Sequence, residues 1–463
     1  MSNESEIVVR QMNGNLFKTL VMFTRKPLIT DIAEELEYYS NDNVTIIGTI
    51  LLDYSDRYYN VVILCRDDVG KFRAFDTNTD FENLEAAREW LIGRIRWHTS
   101  NGIKRIPLGI EKPSADIFQI IVNNGKVHPY FLRLRDDAHY YAAKQVIIEI
   151  MKFFKDIDGN FVEQFQSLNG FDARLWEIYL FCLLNEENFD IIREHDSPDF
   201  IISKYGTEIA LEAVIVDRKE DNPPKYFTQL KEKLPEEIEK EISNDMPLRF
   251  GSPLFSKLKK KYWELPHVKN KPIILAVADF HDDQSMTWSY NALIDYLYGL
   301  KFSALYDDKE NLRIISKKIL PYTKKSGAKI EAGYFFQPDV ENISAVLFSS
   351  TATLSKFTRM GIQSGFRFQK QKVFRYGVKY KHDPNASKPD MFGYEVNEEC
   401  NEDWSEGVNL FHNPNALIKI DKSLFPSVAH HELKNGLIYS TTPDFHPYFS
   451  FNYNIIVKDD MGK

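Results

Sequence analysis

The alternation of hydrophobic and polar positions is clearest between Phe171 and Phe280. A well-buried helix is predicted by RLWEIYLFCLL, which carries apolar residues on several faces. Three strands are predicted by the short apolar runs NFDIIREH, DFIISK and EIALEAVIV. After a polar connection, a second helix is predicted by SPLFSKLKKKYWEL and a fourth strand by KPIILAVADF. This pattern predicts an α/β fold with the order helix, three strands, helix, strand.

The pattern of apolar residues in the N-terminal third of the chain predicts a separate α+β domain. Three strands are expected at VTIIGTILLDY, YYNVVILCRD and KFRAFDT, where β-branched and aromatic residues are frequent. An amphipathic helix is expected at LEAAREWLIGRIRWH. We also expect a helix over Thr30–Tyr39, two strands (DIFQIIVNN and VHPYFLRLR) on either side of a turn at 123–125, and a helix over Asp137–Lys155.

The remainder of the chain is less regular. SMTWSYNALIDYLYGL predicts a helix, NISAVLFSS a strand and TATLSKFTRMG a short helix, and the last two elements can extend the central sheet. From about residue 361 the chain is punctuated by Asn, Pro and Gly and poor in strand patterns. We therefore divide the chain into an N-terminal domain (1–150), a central domain (151–360) and a C-terminal extension (361–463).

Composition narrows the class of protein. The chain has 463 residues, of which 43% are hydrophobic and 27% charged, as expected for two or three globular domains. A net charge of -9 restricts any nucleic-acid contact to a local patch. Three widely spaced cysteines suit neither a disulfide framework nor a zinc ribbon. We find no signal-peptide pattern and no apolar run near the ~20 residues that span a bilayer, so we expect a cytoplasmic protein without a membrane partner.

Three carboxylates stand out in the central stretch: Glu177 on the first helix, Asp199 at a strand start and Glu212 on the next strand. A tight turn at 205–207 would make those two strands antiparallel, so Asp199 and Glu212 can be neighbours. Neighbouring carboxylates among apolar residues are costly unless a partner such as a hard divalent cation neutralises them. The alternative is that both acids face solvent, although the apolar run at 213–216 favours a buried strand.

This stretch resembles the PD-(D/E)XK restriction-endonuclease-like nuclease superfamily, whose core has the same element order. The family carries Pro-Asp near one strand and acid-X-Lys on the next. Pro198 and Asp199 match the first motif, and Glu212, Ala213 and Val214 match the second, with Val in the place of Lys. The resemblance covers residues 171–280, about a quarter of the chain.

The resemblance implies a metal-dependent nuclease that acts on DNA, with RNA left open. It implies that Asp199, Glu212 and the backbone carbonyl of Ala213 bind Mg²⁺ or Mn²⁺. Glu177 matches an acid that some members carry on the first helix. A homodimer is also left open.

The family lysine orients the attacking water and stabilises charge on the phosphate, so its replacement by Val214 needs a substitute. We identify Lys257 as the candidate, because it lies on the helix expected to pack across the sheet. The alternative is that Lys257 is solvated together with Lys259, Lys260 and Lys261. Lys219 is a weaker candidate.

Asp279 and His281 follow the last strand of the core and could act near the site, although a structural role is the simpler explanation. A basic segment, Lys356–Lys381, contains eight Lys and Arg and no Asp or Glu. Aromatic residues alternate with these cations, which suits either nucleic-acid contact or a half-buried strand pair.

Three functions therefore remain open. The first is a metal-dependent nuclease. The second is a nuclease-like core that has lost its chemistry and serves as a nucleic-acid-binding or assembly module. The third is an unrelated structural or partner-binding protein whose acids lie on its surface.

Overall fold

The computed structural model describes residues 7–107, 116–123, 125–157, 159–218, 234–283, 285–323, 327 and 329–457. The chain is mixed α/β and contains several sheets. Within the described ranges, none of the helices has the length and apolar character needed to cross a membrane.

The N-terminal region folds around an antiparallel sheet whose five strands follow chain order. Its elements are β1 (Val9–Gln11), α1 (Gly14–Val21), α2 (Ile29–Ile32), β2 (Ala33–Asn41), β3 (Ile46–Asp53), β4 (Tyr59–Arg66), β5 (Phe72–Phe81) and α3 (Leu84–Ser100). One face packs on α3 through Ile50, Ile63 and Leu91. The other face packs on α1 through Phe17 and Ile47. The expected strands at 46–53, 59–66 and 72–81 and the helix after them are therefore present.

The predicted helix over Thr30–Tyr39 is wrong. Only four residues, Ile29–Ile32, are helical, and Ala33–Asn41 forms β2 between β1 and β3. The acidic residues that suggested a helix instead form cross-element ion pairs, Glu35 with Arg25 at 2.7 Å and Glu37 with Arg88 at 2.6 Å. Sheet pairing outweighs the helical propensity of this segment.

The strand pair predicted between 116 and 136 is also wrong. The first half lies in turns, and the second half is helix α4 (Pro129–Asp136). His128 caps this helix, because its Nδ1 accepts a hydrogen bond from the Tyr130 N–H, and Pro129 occupies the first helical position. Asn124 of the expected turn lies outside the described residues. Two helices follow, α5 (Tyr141–Met151) and α6 (Phe161–Gln166).

The central region contains the predicted helix, three strands, helix and strand in that order, with an additional short helix (Pro235–Lys240) before the second predicted helix. Its first part comprises α7 (Phe171–Glu186), β6 (Asp190–Ile192), β7 (Phe200–Lys204), β8 (Thr207–Val216), α8 (Pro235–Lys240), α9 (Met246–Leu258) and β9 (Ile273–Asp279). Its second part comprises α10 (Ser289–Tyr298), β10 (Leu300–Tyr306), β11 (Leu312–Lys318), β12 (Tyr322–Thr323), β13 (Lys329–Ile330), β14 (Ala345–Ser349) and α11 (Leu354–Gln363).

The expectation of a strand-poor C-terminal extension is wrong. The chain after residue 363 forms β15 (Gln371–Lys379), β16 (Asp390–Val396), β17 (Val408–His412), β18 (Ala429–Lys434), β19 (Leu437–Thr441) and β20 (Pro447–Ile456). Three of these strands form a separate antiparallel sheet in the order β16-β15-β20, and β17, β18 and β19 join the central sheet. The Asn, Pro and Gly residues that concealed the pattern lie largely in the connections between short strands.

The central sheet has eight strands in the order β19-β18-β17-β14-β9-β8-β7-β6. Strands β8, β9 and β14 are mutually parallel, and β6 and β7 extend the sheet as antiparallel neighbours. Strand β17 pairs antiparallel with β14 on the other side.

The two faces of this sheet are covered by different helices. Leu211 of β8 belongs to the same core as Leu175 and Trp176 of α7, and the Trp176 indole donates a hydrogen bond to the Ala276 carbonyl at 2.9 Å. Residues on the opposite face of β8, such as Val214, pack with Leu254 of α9 and with α10. Because strand side chains alternate between faces, Glu212 lies on the α9 face.

Candidate functional site

The β7–β8 hairpin places Asp199 opposite Glu212. Its register pairs Phe200 with Leu211, and continuing that register by one residue pairs Asp199 with Glu212. The turn between the strands has two residues with positive φ, Tyr205 at 51° and Gly206 at 78°, as the tightest hairpins require. Directly opposed residues in an antiparallel pair project to the same face, so both acids share the α9 face.

Backbone hydrogen bonds fix the two carboxylates. The Ala213 N–H donates to Asp199 Oδ2 at 2.7 Å, and the Asp199 N–H donates to Glu212 Oε2 at 3.3 Å. Glu212 is only 3% exposed. The N–H and C=O of one strand residue point to the same side, so the Ala213 carbonyl faces the side on which Asp199 lies. The structure therefore brings together the two acids and the backbone carbonyl named from the sequence.

Lys257 reaches this pair from α9. Its ammonium donates a hydrogen bond to Glu212 Oε1, and the Lys260 ammonium lies 3.8 Å from the same oxygen. Val214, two residues after Glu212 on β8, is 1% exposed and packs in the core beneath α9. The cation beside Glu212 is thus supplied by the helix that covers the acidic face.

Asp199 lies in a buried setting beside a second carboxylate. Burial, together with the charges of Glu212 and Glu177 and against the opposing effect of Lys257, raises the pKa of Asp199 to about 7. Burial also raises the pKa of the Tyr262 hydroxyl, and the neighbouring Glu212 charge adds to that shift. Near neutral pH, Asp199 therefore exchanges a proton readily.

Glu177 lies apart from the pair. It is on α7, which covers the opposite face of the sheet, and the Arg174 guanidinium donates to its carboxylate at 2.8 Å. Arg193 lies 3.9 Å away. Glu177 therefore influences Asp199 through its charge, while its own oxygens face arginines.

A metal ion at this site would depend on few side chains. Within the described residues, no group of three or more His, Cys, Asp or Glu side chains converges as a metal site. The available donors are the two carboxylates and the Ala213 carbonyl. These are hard oxygen donors of the kind that Mg²⁺ binds with several retained waters.

Two other candidates have structural surroundings. His281 Nδ1 and Asp279 Oδ1 are 2.7 Å apart, and both residues are almost fully buried. His281 Nε2 also lies 3.6 Å from Glu241. These contacts hold together the chain at the carboxyl end of β9. Lys219, the weaker candidate for the displaced lysine, lies outside the described residues.

The basic segment Lys356–Lys381 does not form one exposed cationic surface. Lys356, Arg359 and Arg375 are each at most 1% exposed. They converge on Glu402, to which Lys356 lies at 2.6 Å and Arg359 at 2.7 Å, and Arg375 lies 2.8 Å from Glu406. Burial alone would raise the pKa of Glu402, but Arg359, Arg375 and Lys356 together hold that pKa well below its ordinary value. These three cations tie α11 and β15 to the loop before β17.

A cavity of about 490 Å³ lies at the carboxyl ends of β8, β9 and β14. Arg218 on its wall lies 2.8 Å from Asp283 and 3.5 Å from Asp172, and the Tyr130 hydroxyl donates to Asp283 at 2.7 Å. Burial raises the pKa of Asp172 to about 7. The cavity is lined by residues other than the Asp199–Glu212 pair, and these charges are paired with one another, so the cavity alone does not indicate a reaction.

The connection between α9 and β9 contributes three neighbours that the sequence analysis did not assign to the site. They are Lys260, Tyr262 and His267. His267 Nε2 lies 2.7 Å from the Ser197 carbonyl, two residues before Asp199. None of these residues falls in a periodic pattern or at a recognisable spacing from the acids, so only the path of the chain reveals them.

Comparison of the chain with protein-family models, with curated proteins and with solved structures gives no match in any of the three.

Proposed function

We propose that the protein is a metal-dependent nuclease that hydrolyses phosphodiester bonds, with DNA as the expected substrate and RNA as the alternative. The observation that carries this proposal is the convergence of Asp199 and Glu212 on one sheet face, with the Lys257 ammonium on Glu212. Paired acids with an adjacent cation suit metal-assisted attack of water on a phosphate. The order of the surrounding elements supports the resemblance to PD-(D/E)XK nucleases.

The residues present fit a divalent metal ion. Asp199 and Glu212 lie side by side in a buried setting that raises the pKa of Asp199, and the Ala213 carbonyl offers a third oxygen. Asp199, Glu212 and Ala213 would hold Mg²⁺ or Mn²⁺. When bound, the ion supplies a Lewis acid that makes water more acidic and stabilises charge on the phosphate.

The chain's own groups then have separate tasks. Asp199 must lose its proton before its carboxylate can serve as a ligand. Lys257, one quarter exposed at its side chain, can leave Glu212 and approach a phosphate oxygen, where its charge would favour the transition state. Glu177 assists through its charge, since its oxygens contact arginines.

The second candidate function is binding without hydrolysis. The observation that favours it is the contact between Lys257 and Glu212, which already neutralises one of the two acids, together with the apolar Val214 at the family's lysine position. In that case the site would retain nucleic acid and show no turnover with any divalent metal ion.

A nuclease assay with matched variants tests the proposal. Purified full-length protein is incubated with labelled single-stranded and duplex DNA and RNA in Mg²⁺, in Mn²⁺ and in EDTA. Glu212→Gln and Asp199→Asn preserve side-chain size and remove the charge of one ligand. Glu208→Gln is the matched control, because Glu208 lies on the same strand, has a side chain that is 42% exposed and pairs with Lys271 at 2.9 Å.

We expect cleavage that requires the metal ion, is lost in both site variants and persists in the control. Retention of nucleic acid without cleavage would favour the binding module. Cleavage that is equally strong in Glu212→Gln would overturn the assignment of this site.

A further inference from the structure

We propose that the substrate beside the acid pair is a single strand, with an unpaired base stacked on the His195 imidazole. This inference rests on the proposed function and names the substrate class of the same site. Two observations support the inference: the stacked rings of His195 and His267, and the position of the Lys260 ammonium near Glu212.

The histidine pair forms a flat platform. The rings of His195 and His267 are stacked, with centroids 3.8 Å apart and planes inclined by 20°. His195 is exposed and His267 is partly buried. His267 therefore covers one face of the His195 ring, while His195 as a whole remains exposed to solvent.

This platform is fixed relative to the acids. His267 Nε2 lies 2.7 Å from the Ser197 carbonyl, and Ser197 precedes Asp199 by two residues. His267 is itself anchored, because Val268 beside it is fully buried and the Lys271 ammonium donates to the His267 carbonyl. His195 is four residues from Asp199, so their Cα atoms are at most about 14 Å apart. A nucleotide next to the scissile phosphate can reach the ring.

A cation is present next to the same acids. The Lys260 side chain is 55% exposed, yet its ammonium lies 3.8 Å from Glu212 Oε1. Lys259 and Lys261 beside it are also exposed. Exposed ammonium groups follow a phosphate backbone, and their contribution depends on salt.

Cations along the backbone combined with a ring for base stacking are the features that sequence-independent single-strand binding uses. A base inside a duplex is already stacked on both faces and gains nothing from His195. An unpaired base gains about 1–3 kcal/mol from such a ring, which corresponds to roughly a 5- to 150-fold change in affinity. The arrangement therefore favours single strands over duplexes.

The alternative is that the two rings only stabilise the loop before β7. That role and a binding role make different predictions. A structural role requires the contacts of the imidazole nitrogens or its packing on His267, whereas base stacking requires an exposed aromatic face of any kind.

Binding measurements separate these roles. Full-length Glu212→Gln protein, which should not cleave, is titrated into fluorescein-labelled oligothymidine, oligouridine and a DNA duplex of equal length, and anisotropy is recorded. We expect both single strands to bind more tightly than the duplex. Comparison of the affinities for oligothymidine and oligouridine shows whether DNA or RNA is preferred.

Substitutions at position 195 complete the test. In the same background, His195→Ala should weaken single-strand binding by roughly 5- to 150-fold and change duplex binding little. His195→Phe should restore single-strand binding. His382→Ala removes an exposed histidine of the C-terminal region and should have no effect.

Two results would overturn the inference while leaving the proposed function intact. One is duplex binding as tight as single-strand binding, in a protein whose cleavage depends on Glu212. The other is unchanged single-strand binding in His195→Ala. Absence of both cleavage and nucleic-acid binding would instead remove the proposed function and this inference together.

Discussion

Lys257 contacts Glu212 across 45 residues of chain. The ammonium comes from α9, and Val214, two residues after Glu212 on β8, is buried. Both positions serve the same face of the sheet, since Val214 and Leu254 of α9 share one core. The cation can therefore be moved between helix and strand without changing the face on which it acts.

Removing this ammonium should slow hydrolysis. In Lys257→Ala we expect kcat to fall by about 10²–10³, the range seen when one preorganised charge-stabilising group is lost. Adding Val214→Lys to that variant should recover part of the activity, because the new side chain projects to the same face. Steady-state kinetics with Mg²⁺ measures both effects.

Lys259→Ala is the control, since Lys259 is exposed and lies two residues from Lys257. Equal losses in Lys259→Ala and Lys257→Ala would mean that general positive charge, and not the contact with Glu212, supports activity.

The raised pKa of Asp199 predicts an unusual dependence of stability on pH. Burial raises this pKa from 3.8 to about 7, so between pH 4 and pH 7 the folded chain binds a proton that the unfolded chain has released. The contribution of Asp199 to the free energy of unfolding therefore falls as pH rises through this window, by on the order of 4 kcal/mol at most. Urea denaturation in EDTA, from pH 4 to pH 8, compares wild type with Asp199→Asn.

Asp199→Asn should gain stability relative to wild type as pH rises, and Mg²⁺ should offset the loss in wild type above pH 7. Parallel pH profiles for the two proteins, with a constant difference between them, would contradict the raised pKa.

Buried histidines should produce the opposite trend within the same pH range. Burial lowers the pKa of His412 and of His446 to about 4, below the ordinary 6.5. Between pH 6.5 and pH 4 these histidines are protonated in the unfolded chain but not in the folded chain. Their contribution to the free energy of unfolding therefore falls as pH decreases. His446→Gln can keep a hydrogen bond to Asn409, which His446 Nε2 meets at 3.0 Å, and should flatten this part of the profile.

The measurement is the urea midpoint of each protein at several pH values between 4 and 7. A profile as steep in His446→Gln as in wild type would show that the acid dependence arises elsewhere in the chain.

The buried cations of the basic segment should be sensitive to loss of their partner. Glu402→Gln leaves Lys356, Arg359 and Arg375 without the carboxylate on which they converge, and breaking a buried ion pair in this way costs about 3–5 kcal/mol. Chemical denaturation measures the change. Glu399→Gln is the comparison, because Glu399 is an exposed acid three residues away and should change stability by less than about 0.5 kcal/mol. Similar losses in both variants would contradict the buried network.

The acid pair could be predicted from the sequence because its geometry is local. A two-residue turn and the period of two along β7 and β8 decide that Asp199 and Glu212 share a face. The helix α9 could be predicted from its apolar period, although its contact with Glu212 could only be suggested by the family resemblance.

Other features depend on partners far along the chain. From the sequence alone, Lys356 would be assigned as a solvated cation. In the fold it contacts Glu402, which lies 46 residues later in the chain. Residues 33–41 have the composition of a helix, but β1 and β3 supply hydrogen bonds on both sides and make them a strand. The stacked rings of His195 and His267 are separated by 72 residues, and no short-range pattern relates them.

The way β17 lies against β14 has a practical consequence for the central region of the chain. A chain ended at residue 360 would keep the acid pair but would leave the hydrogen-bonding groups of β14 uncovered along one side, from Ala345 to Ser349. Exposed edge strands of this kind can pair with strands of other molecules, which leads to aggregation. We therefore expect residues 151–360 to need the strand β17, which the C-terminal part of the chain contributes, to stay monomeric when they are expressed.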